Sequence, residues 1–168
     1  MIYELDFPNK EVKDAFLMVL VSEYTGKSQI EIFNLNIRIH NALINKNEIE
    51  LQDSLTELYA NAVYDTDTKQ EGQRQSLFVI AMRLSGFETE VEVHTNVGRA
   101  DVVLKNGEKI IVVEIKYSKH NKAEKELEEA IGQIREKKYY VKYASKEVTL
   151  LGIVFSKNKD ITCMFERP

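Results

Sequence analysis

The sequence predicts an α+β fold in which helices pack on a mixed β-sheet. From residue 71 onward, segments follow in the order helix, three strands, helix, two strands, which is typical of a mixed sheet flanked by helices. Asn106-Gly107 stands between two apolar runs and is a strong signal for a tight hairpin. Before residue 64 the apolar residues recur at helical spacing, which indicates a helical appendage ahead of the sheet.

The composition is that of a folded protein. The 168 residues are 43% hydrophobic, enough for one domain of ordinary size plus an appendage, and Gly and Pro are sparse. No apolar run reaches the roughly 18 residues of a membrane span, and no secretion signal opens the chain. Cys163 is the only cysteine, so an intrachain disulfide is excluded. We therefore expect a cytoplasmic protein without a membrane partner.

The first part of the chain is predicted to be helical. Residues 9–24 form a helix with Asn9 as N-cap, and two further helices are expected, from Ser28 to about Ile39 and from about Ile49 to Val63. The apolar stripe of the first helix is predicted to consist of Val12, Phe16, Val19 and Leu20.

A polar, turn-rich stretch, Tyr64–Gln70, separates this appendage from the main domain. We accordingly divide the chain into a helical linker or docking segment, residues 1–66, and a main domain, residues 67–168. The main domain is predicted to contain helix Glu71–Leu84, strands Thr89–Thr95, Ala100–Leu104 and Lys109–Tyr117, helix Lys122–Tyr143, and strands Val148–Phe155 and Ile161–Phe165.

The Asn106-Gly107 hairpin predicts which side chains lie together. A type I′ turn there pairs Lys105 with Glu108, so that paired residue numbers sum to 213. Because side chains alternate between faces, one face of the hairpin then carries Asp101, Val103, Ile110, Val112, Glu114 and Lys116. Asp101 and Glu114 become diagonal neighbours, about 5–8 Å apart between Cβ atoms. Two carboxylates at that distance can share a divalent cation.

Glu114 and Lys116 also break the pattern of their strand. The run from Ile110 to Ile115 is apolar on both faces, as in a strand that is covered on both sides. An unpaired carboxylate buried there costs several kcal/mol, so Glu114 must be paired, metal-bound or at the open end of the strand. A structural Glu–Lys ion pair without chemistry is the alternative interpretation.

The ordered set of polar residues resembles a known superfamily. The D-x12-E-x-K spacing, with a Glu-bearing helix before it and a Gln-bearing helix after it, is similar to that of the PD-(D/E)XK nucleases. Residues 71–155 more narrowly resemble the nuclease domain at the C-terminus of bacterial AAA-type ATPase-like proteins. The motifs that carry this resemblance are Gly98-Arg99-Ala100-Asp101, Glu114-Ile115-Lys116, and Gln133-Ile134-Arg135-Glu136-Lys137-Lys138-Tyr139-Tyr140. The opening FPNKEV resembles the segment that leads out of the ATPase part of such proteins.

The resemblance implies a restriction-endonuclease-like core of order α-β-β-β-α-β and a Mg²⁺- or Mn²⁺-dependent nuclease acting on DNA or RNA. It implies that Asp101, Glu114 and the Ile115 carbonyl bind the metal. Lys116 would orient the attacking water or stabilise the transition state. Glu71 and Gln133 would complete the catalytic set, although Glu71 also suits a surface position at a helix start.

Nucleic-acid contact is expected from Arg99, Lys137 and Tyr140. On a helical wheel Gln133, Lys137 and Tyr140 fall side by side next to the apolar stripe, although an exposed polar flank gives the same pattern. Charge is distributed unevenly: residues 1–94 carry 8 Lys and Arg against 16 Asp and Glu, whereas residues 95–168 carry 15 against 11. The basic excess thus lies in the half that holds the predicted site.

The sequence leaves several questions open. Relatives commonly have a His four residues after the helix Glu, where this chain has Gln75, which puts the strength of its activity in doubt. The expected partners are an ATPase domain, in cis or in trans, and a second copy of the chain in a homodimer. A catalytically silent module that couples an ATPase partner to other proteins is the competing function. The intact Asp101, Glu114 and Lys116 set argues against it.

Overall fold

The computed structural model describes residues 7–62, 70–95, 98–118, 123–156 and 160–168. It confirms the predicted fold class, a mixed sheet flanked by helices, consistent with a restriction-endonuclease-like fold. The elements are α1 (Lys10–Thr25), α2 (Gln29–Asn45), α3 (Glu48–Tyr59), α4 (Gln70–Leu84), β1 (Glu88–Thr95), β2 (Gly98–Asn106), β3 (Lys109–Ser118), α5 (Ala123–Glu136), a 3₁₀ helix (Tyr139–Tyr143), β4 (Glu147–Ser156) and β5 (Ile161–Glu166). None of the described helices combines the length and the hydropathy that crossing a bilayer requires.

The five strands lie in the order β1-β2-β3-β4-β5. The first three form an antiparallel meander, β4 is parallel to β3, and β5 is antiparallel to β4. A parallel neighbour needs a crossover connection, and α5 provides it between β3 and β4. The central strand β3 is covered on both faces, and its residues from Ile110 to Ile115 are all buried.

The two faces of the sheet meet two different hydrophobic clusters. On one face, Val103 and Val112 pack in a cluster with Ile131 and Ile134 of α5. The opposite face packs against α1 to α4 in one cluster that extends from Val21 to Cys163. The N-terminal helices therefore cover one side of the sheet, and α5 covers the other.

The N-caps of the first two helices, Asn9 and Ser28, lie where the sequence predicts the helices to start, but the C-terminal end of α2 differs from the prediction. Asn9 accepts a hydrogen bond from the Val12 N–H at 2.9 Å. Helix α2 continues to Asn45 instead of ending near Ile39, because its buried apolar positions continue through Leu43. The predicted division between residues 66 and 67 lies outside the described residues. Of the polar stretch 64–70, only position 70 is described, as the start of α4.

The predicted apolar stripe of α1 is wrong. Val12, Phe16 and Val19 are 44%, 48% and 46% exposed, whereas the buried positions of the helix are Leu17, Val21 and Thr25. Apolar residues occupy several sides of this helix, so spacing alone does not decide which side meets the core.

The helix predicted from Lys122 to Tyr143 ends at Glu136 instead. Lys138 takes a left-handed conformation with φ +51°, and a 3₁₀ helix follows it. This break allows Tyr139 and Tyr143 to be buried against the sheet, at 3% and 8% exposure. Burial of two aromatic side chains outweighs the helical spacing that the sequence displays.

Candidate active site

The β2–β3 hairpin uses a register different from the predicted one. Asn106 pairs with Lys109, so paired numbers sum to 215 and the turn residues are Gly107 and Glu108. Of these two, only Gly107 has a positive φ, +59°, as in a type II′ turn, which favours Gly at its first central position. The predicted type I′ turn is therefore wrong, by one residue along the chain.

The change of register leaves each side chain on its predicted face of the sheet. The sum of paired residue numbers changes by two, and a shift of two preserves the alternation of side chains between faces. Extending the register one pair beyond Val102↔Val113 places Asp101 directly opposite Glu114 rather than diagonal to it. The Oδ2 atom of Asp101 accepts a hydrogen bond from the Ile115 N–H at 2.8 Å. This bond fixes Asp101 beside the E-x-K segment of β3.

Glu114 lies in a small polar network under α5. Its Oε1 atom accepts hydrogen bonds from Nε2 of Gln133 and, at 3.3 Å, from Nζ of Lys116. The Lys116 ammonium also donates to Oε1 of Gln133 at 2.6 Å. The three side chains, from β3 and α5, thus form a closed ring of hydrogen bonds.

The exposure of the network is asymmetric. The Glu114 side chain is 3% exposed and the Lys116 side chain is 29% exposed. A carboxylate at such depth is stabilised only when charged and polar partners surround it, and Lys116 and Gln133 are such partners. Solvent reaches the network from the lysine side, at the end of β3.

Gly152 permits the close approach of α5 to this part of the sheet. It pairs with Glu114 across β3 and β4. A Cβ atom added at Gly152 would lie 3.4 Å from both Cβ of Ala130 and the backbone oxygen of Leu127. Glycine inside a strand is a known signal for close backbone approach, and our reading of the sequence missed it.

Glu71 lies apart from the network. Its side chain is exposed in the first turn of α4, and α4 packs on the opposite face of the sheet from α5. The Tyr117 hydroxyl donates to the backbone oxygen of Glu71 at 2.8 Å. Tyr117 follows Lys116 directly, and therefore attaches the start of α4 to the end of β3. No pattern in the sequence singles out this tyrosine.

The predicted nucleic-acid contacts are only partly described. Lys137 is half-buried, and its N–H bonds to the Gln133 oxygen at 3.0 Å at the end of α5. Tyr140 lies beyond the break at Lys138, so the helical wheel that aligned it with Gln133 is wrong. The half-buried Tyr140 packs against the cluster under α5. Arg99 occupies a strand position in β2, and its side chain lies outside the described part.

The predicted metal ligands suit a hard cation in their chemistry. Asp101 and Glu114 supply carboxylate oxygens from adjacent strands, and the Ile115 carbonyl is an oxygen donor of the kind that Mg²⁺ and Mn²⁺ accept. Within the described residues, no group of three or more His, Cys, Asp or Glu side chains is arranged to hold a metal ion. A cation site here would thus rest on two carboxylates, backbone oxygen and water, which is compatible with the tendency of Mg²⁺ to keep several waters.

Comparison with protein families agrees with this arrangement. A family profile described as the PD-(D/E)XK nuclease superfamily matches residues 69–165. The match covers more than half of the chain and includes α4, α5 and every strand of the sheet, apart from the last residue of β5. The chain therefore belongs to the PD-(D/E)XK nuclease superfamily. None of the curated proteins matches the chain.

Proposed function

We propose that this protein is a metal-dependent nuclease that hydrolyses phosphodiester bonds of DNA or RNA. The observation that carries the proposal is the buried Glu114 carboxylate, held by Lys116 and Gln133 on the sheet face that Asp101 borders. Two carboxylates placed together beside an ammonium near the end of a strand lower the stability of the fold. Membership of a nuclease superfamily supports a catalytic reason for that cost.

Asp101, Glu114 and the Ile115 carbonyl would hold Mg²⁺ or Mn²⁺. A divalent cation held there supplies activation of a water molecule and neutralisation of charge on the scissile phosphate. The hydrogen bond from the Ile115 N–H keeps the Asp101 carboxylate beside the E-x-K segment of β3, where it can serve as a ligand. The bond from Gln133 fixes one oxygen of Glu114 in the same way.

Lys116 is the residue that acts on the substrate in this proposal. Its partly exposed ammonium orients the attacking water or offsets the negative charge that develops on the phosphoryl oxygens. Gln133 accepts a hydrogen bond from that ammonium at 2.6 Å and so restricts where it points. Glu71 is proposed to complete the site from the start of α4, which the Tyr117 hydroxyl attaches to the end of β3.

Arg99, Lys137 and Tyr140 are proposed to contact the nucleic acid around the scissile bond. Arg99 lies two residues before Asp101 in β2, and Lys137 is one turn beyond Gln133. Contacts of this kind go to phosphates and position the strand without reading sequence. The basic excess of residues 95–168 supports phosphate binding on this half of the molecule.

The function is tested by incubating the chain with single- and double-stranded DNA and RNA in Mg²⁺, Mn²⁺ or EDTA. We expect cleavage only with metal, and Lys116→Ala should lower the rate about 100-fold or more. Lys116→Met keeps most of the side-chain volume and should be equally inactive. The matched control is Lys125→Ala, which changes an α5 lysine whose side chain is 71% exposed. Full activity of both Lys116 variants would refute the assigned role.

A catalytically silent interaction module is the second candidate function. The N-terminal helices and the resemblance of FPNKEV to a segment that leaves an ATPase part support a role beside an ATPase domain, in cis or in trans. A homodimer and a cytoplasmic location complete this set of proposals. If the wild-type chain cleaves none of the four substrates with either metal, the silent module becomes the better account.

A further inference from the structure

The segment that follows α5 carries exposed positive charge. Residues 137–146 contain four lysines and no acidic residue. Lys146 forms an ion pair with Glu108, with its Nζ atom 2.6 Å from Oε1. Lys138 and Lys142 are exposed, and neither forms an ion pair in the part of the chain that the structure describes. These two residues, Lys138 and Lys142, are called the lysine patch below.

The backbone conformation of Lys138 is unusual for a lysine. Its φ is +51°, in the left-handed region where a Cβ atom is crowded and glycine is preferred. The left-handed residues after α1 and α4 are glycines, Gly26 and Gly86. A lysine in this conformation lowers the stability of the fold relative to glycine, so the presence of its side chain requires an explanation.

Lys46, at the end of α2, is the comparable case. It is also left-handed, with φ +56°. Its ammonium lies 3.4 Å from the Glu147 carboxylate, so an interaction within the chain uses that side chain. Lys138 has no carboxylate partner among the described residues. The charge of Lys138 is therefore available to a molecule outside the chain, at a position where glycine would suit the backbone better.

The lysine patch begins next to the candidate active site. The Lys137 N–H bonds to the backbone oxygen of Gln133 at 3.0 Å, and the Gln133 side chain bonds to Glu114 and to Lys116. Lys138 is the next residue, and the 3₁₀ helix that follows it packs in the same hydrophobic cluster as α5. An extended polymer bound at Lys116 can thus also contact the patch on the same face of the sheet.

The 3₁₀ helix gives the patch a fixed support. Tyr139 and Tyr143 are buried against the sheet, and the Tyr143 hydroxyl donates to Glu90 at 3.1 Å. Glu90 also accepts a hydrogen bond from Lys105, so this carboxylate is already paired. The Lys142 ammonium lies 5.2 Å from the centre of the Tyr143 ring. A ligand that binds the patch therefore has little backbone to order.

We propose that the lysine patch binds the phosphate backbone of the nucleic acid and holds it beside the active site, an inference that rests on the proposed nuclease function. Lys138 and Lys142 are four residues apart, about 8 Å along a 3₁₀ axis. One strand of a duplex carries a phosphate about every 3.4 Å, so about two phosphates lie within that length. Lysine binds phosphate as a point charge, and such contacts are independent of base sequence.

The test measures binding of the full chain in EDTA to fluorescein-labelled single- and double-stranded DNA and RNA, by fluorescence anisotropy at several KCl concentrations. Lys138→Gly should reduce the slope of log affinity against log salt concentration by about 0.7 on a single strand or about 0.9 on a duplex. At 0.1 M KCl this corresponds to about fivefold to eightfold weaker binding. Adding Lys142→Ala should about double the change in slope.

Two controls separate binding from folding. Glycine suits the backbone at position 138, so Lys138→Gly should unfold at the same or a higher temperature than the wild type. Lys46→Gly makes the same change at the other left-handed lysine, whose charge is paired, and should leave the salt slope unchanged. The proposal is overturned if Lys138→Gly lowers the unfolding temperature, if it changes the slope no more than Lys46→Gly, or if the wild type binds none of the four nucleic acids.

Binding in EDTA does not depend on catalysis, so the two proposals fail separately. A chain that binds as expected but cleaves nothing with Mg²⁺ or Mn²⁺ refutes the nuclease and supports the patch. A chain that cleaves, and whose affinity Lys138→Gly leaves unchanged, overturns the patch alone. Polyglutamate that displaces the nucleic acid at an equal concentration of charge would assign the patch to an acidic protein and would also overturn the proposal.

Discussion

At the scale of single residues, the proposed catalytic site rests on the environment of Glu114. A structural ion pair would need only Lys116, but Gln133 bonds to both members of the pair. An amide that holds an acid and an ammonium in fixed positions is what a pre-organised site requires. Such a site lowers the free energy of unfolding when no cation is bound. Cation binding should raise that free energy by an amount that can be measured.

Glu114→Gln should remove the stabilisation that a divalent cation provides. With a dissociation constant of about 1 mM, 10 mM Mn²⁺ stabilises the wild type by about 1.4 kcal/mol. For a chain of this size the unfolding temperature then rises by roughly 3–6 °C. The variant keeps an oxygen for the Gln133 amide but loses the ligand charge, so its unfolding temperature should not respond to Mn²⁺. Thermal unfolding with Mn²⁺ and with EDTA measures both, and an equal rise in the two proteins would contradict the ligand role of Glu114.

Much of the candidate site was predictable at this scale. The alternation of side chains along β2 and β3 placed Asp101, Glu114 and Lys116 on one face before the register was known. The sequence could not decide whether Asn106 or Gly107 opens the turn, because Asn-Gly and Gly-X both suit a two-residue hairpin. Tyr117 and Gly152 act through tertiary contacts with α4 and α5, which no local pattern indicates.

At the scale of elements, the break after α5 shows where helical spacing fails. The sequence continues at helical spacing to Tyr143, but the chain turns at Lys138 and forms a 3₁₀ helix. The Tyr143 hydroxyl then donates to Glu90 of β1 at 3.1 Å, on the same face of the sheet as the candidate site. Lys105 pairs with the same carboxylate and holds the pKa of Glu90 below its ordinary value. The 3₁₀ helix is thus anchored to the edge of the sheet.

This anchoring predicts a stability difference at alkaline pH. Burial raises the pKa of Tyr143 to about 12 from its ordinary value of 10.0. Because its pKa is raised, Tyr143 keeps its proton in the folded state at a pH where the unfolded chain has lost it. The contribution of the protonated Tyr143 to the free energy of unfolding is therefore complete below pH 10 and is lost as the pH rises towards 12. Tyr143 ionises first in the unfolded chain, and this lowers the free energy of unfolding of the wild type by about 1.4 kcal/mol at pH 11.

Tyr143→Phe should therefore lose less stability than the wild type between pH 9 and pH 11. Urea unfolding at the two pH values gives the difference, and Lys105 and Lys142, which lie near the ring, are common to both proteins. Equal losses in the two proteins would show that Tyr143 is not buried as described.

The outer edge of β5 illustrates what sequence patterns do not reveal about elements. The Cys163 N–H donates to Gln52 at 2.9 Å, and the Phe165 N–H donates to Glu48 at 2.7 Å. Side chains of α3 thereby occupy backbone donors that an open edge would expose to other strands. The strands themselves were predicted to within two residues at each end. The polar residues of α3 gave no sign that they would cap a strand more than a hundred residues away.

At the scale of the whole molecule, the N-terminal helices are more than an appendage in the contacts they make. Residues of α1, α2 and α3 share one hydrophobic cluster with α4 and with one face of the sheet. The helical spacing predicted the helices, but it could not show which layer they cover, because this depends on packing between distant parts of the chain. The division at residues 66 and 67 remains a prediction about sequence segments.

The shared cluster predicts that helices and sheet unfold together. Ile39 of α2 is fully buried in that cluster, and Ile39→Ala should lower the free energy of unfolding by about 2–5 kcal/mol. Urea unfolding followed by circular dichroism and by near-ultraviolet absorbance should show one transition with a lower midpoint. Two separate transitions would instead indicate that residues 1–66 fold as an independent unit. Ile30→Ala, at a 75% exposed position of the same helix, is the control.

The most direct test of the account is anomalous scattering from crystals of this protein soaked in Mn²⁺. We predict a manganese peak in contact with the carboxylates of Asp101 and Glu114, with the Lys116 ammonium beside it and outside the coordination sphere. No peak between these carboxylates, in crystals of a protein that cleaves nucleic acid at the same Mn²⁺ concentration, would contradict the proposed site.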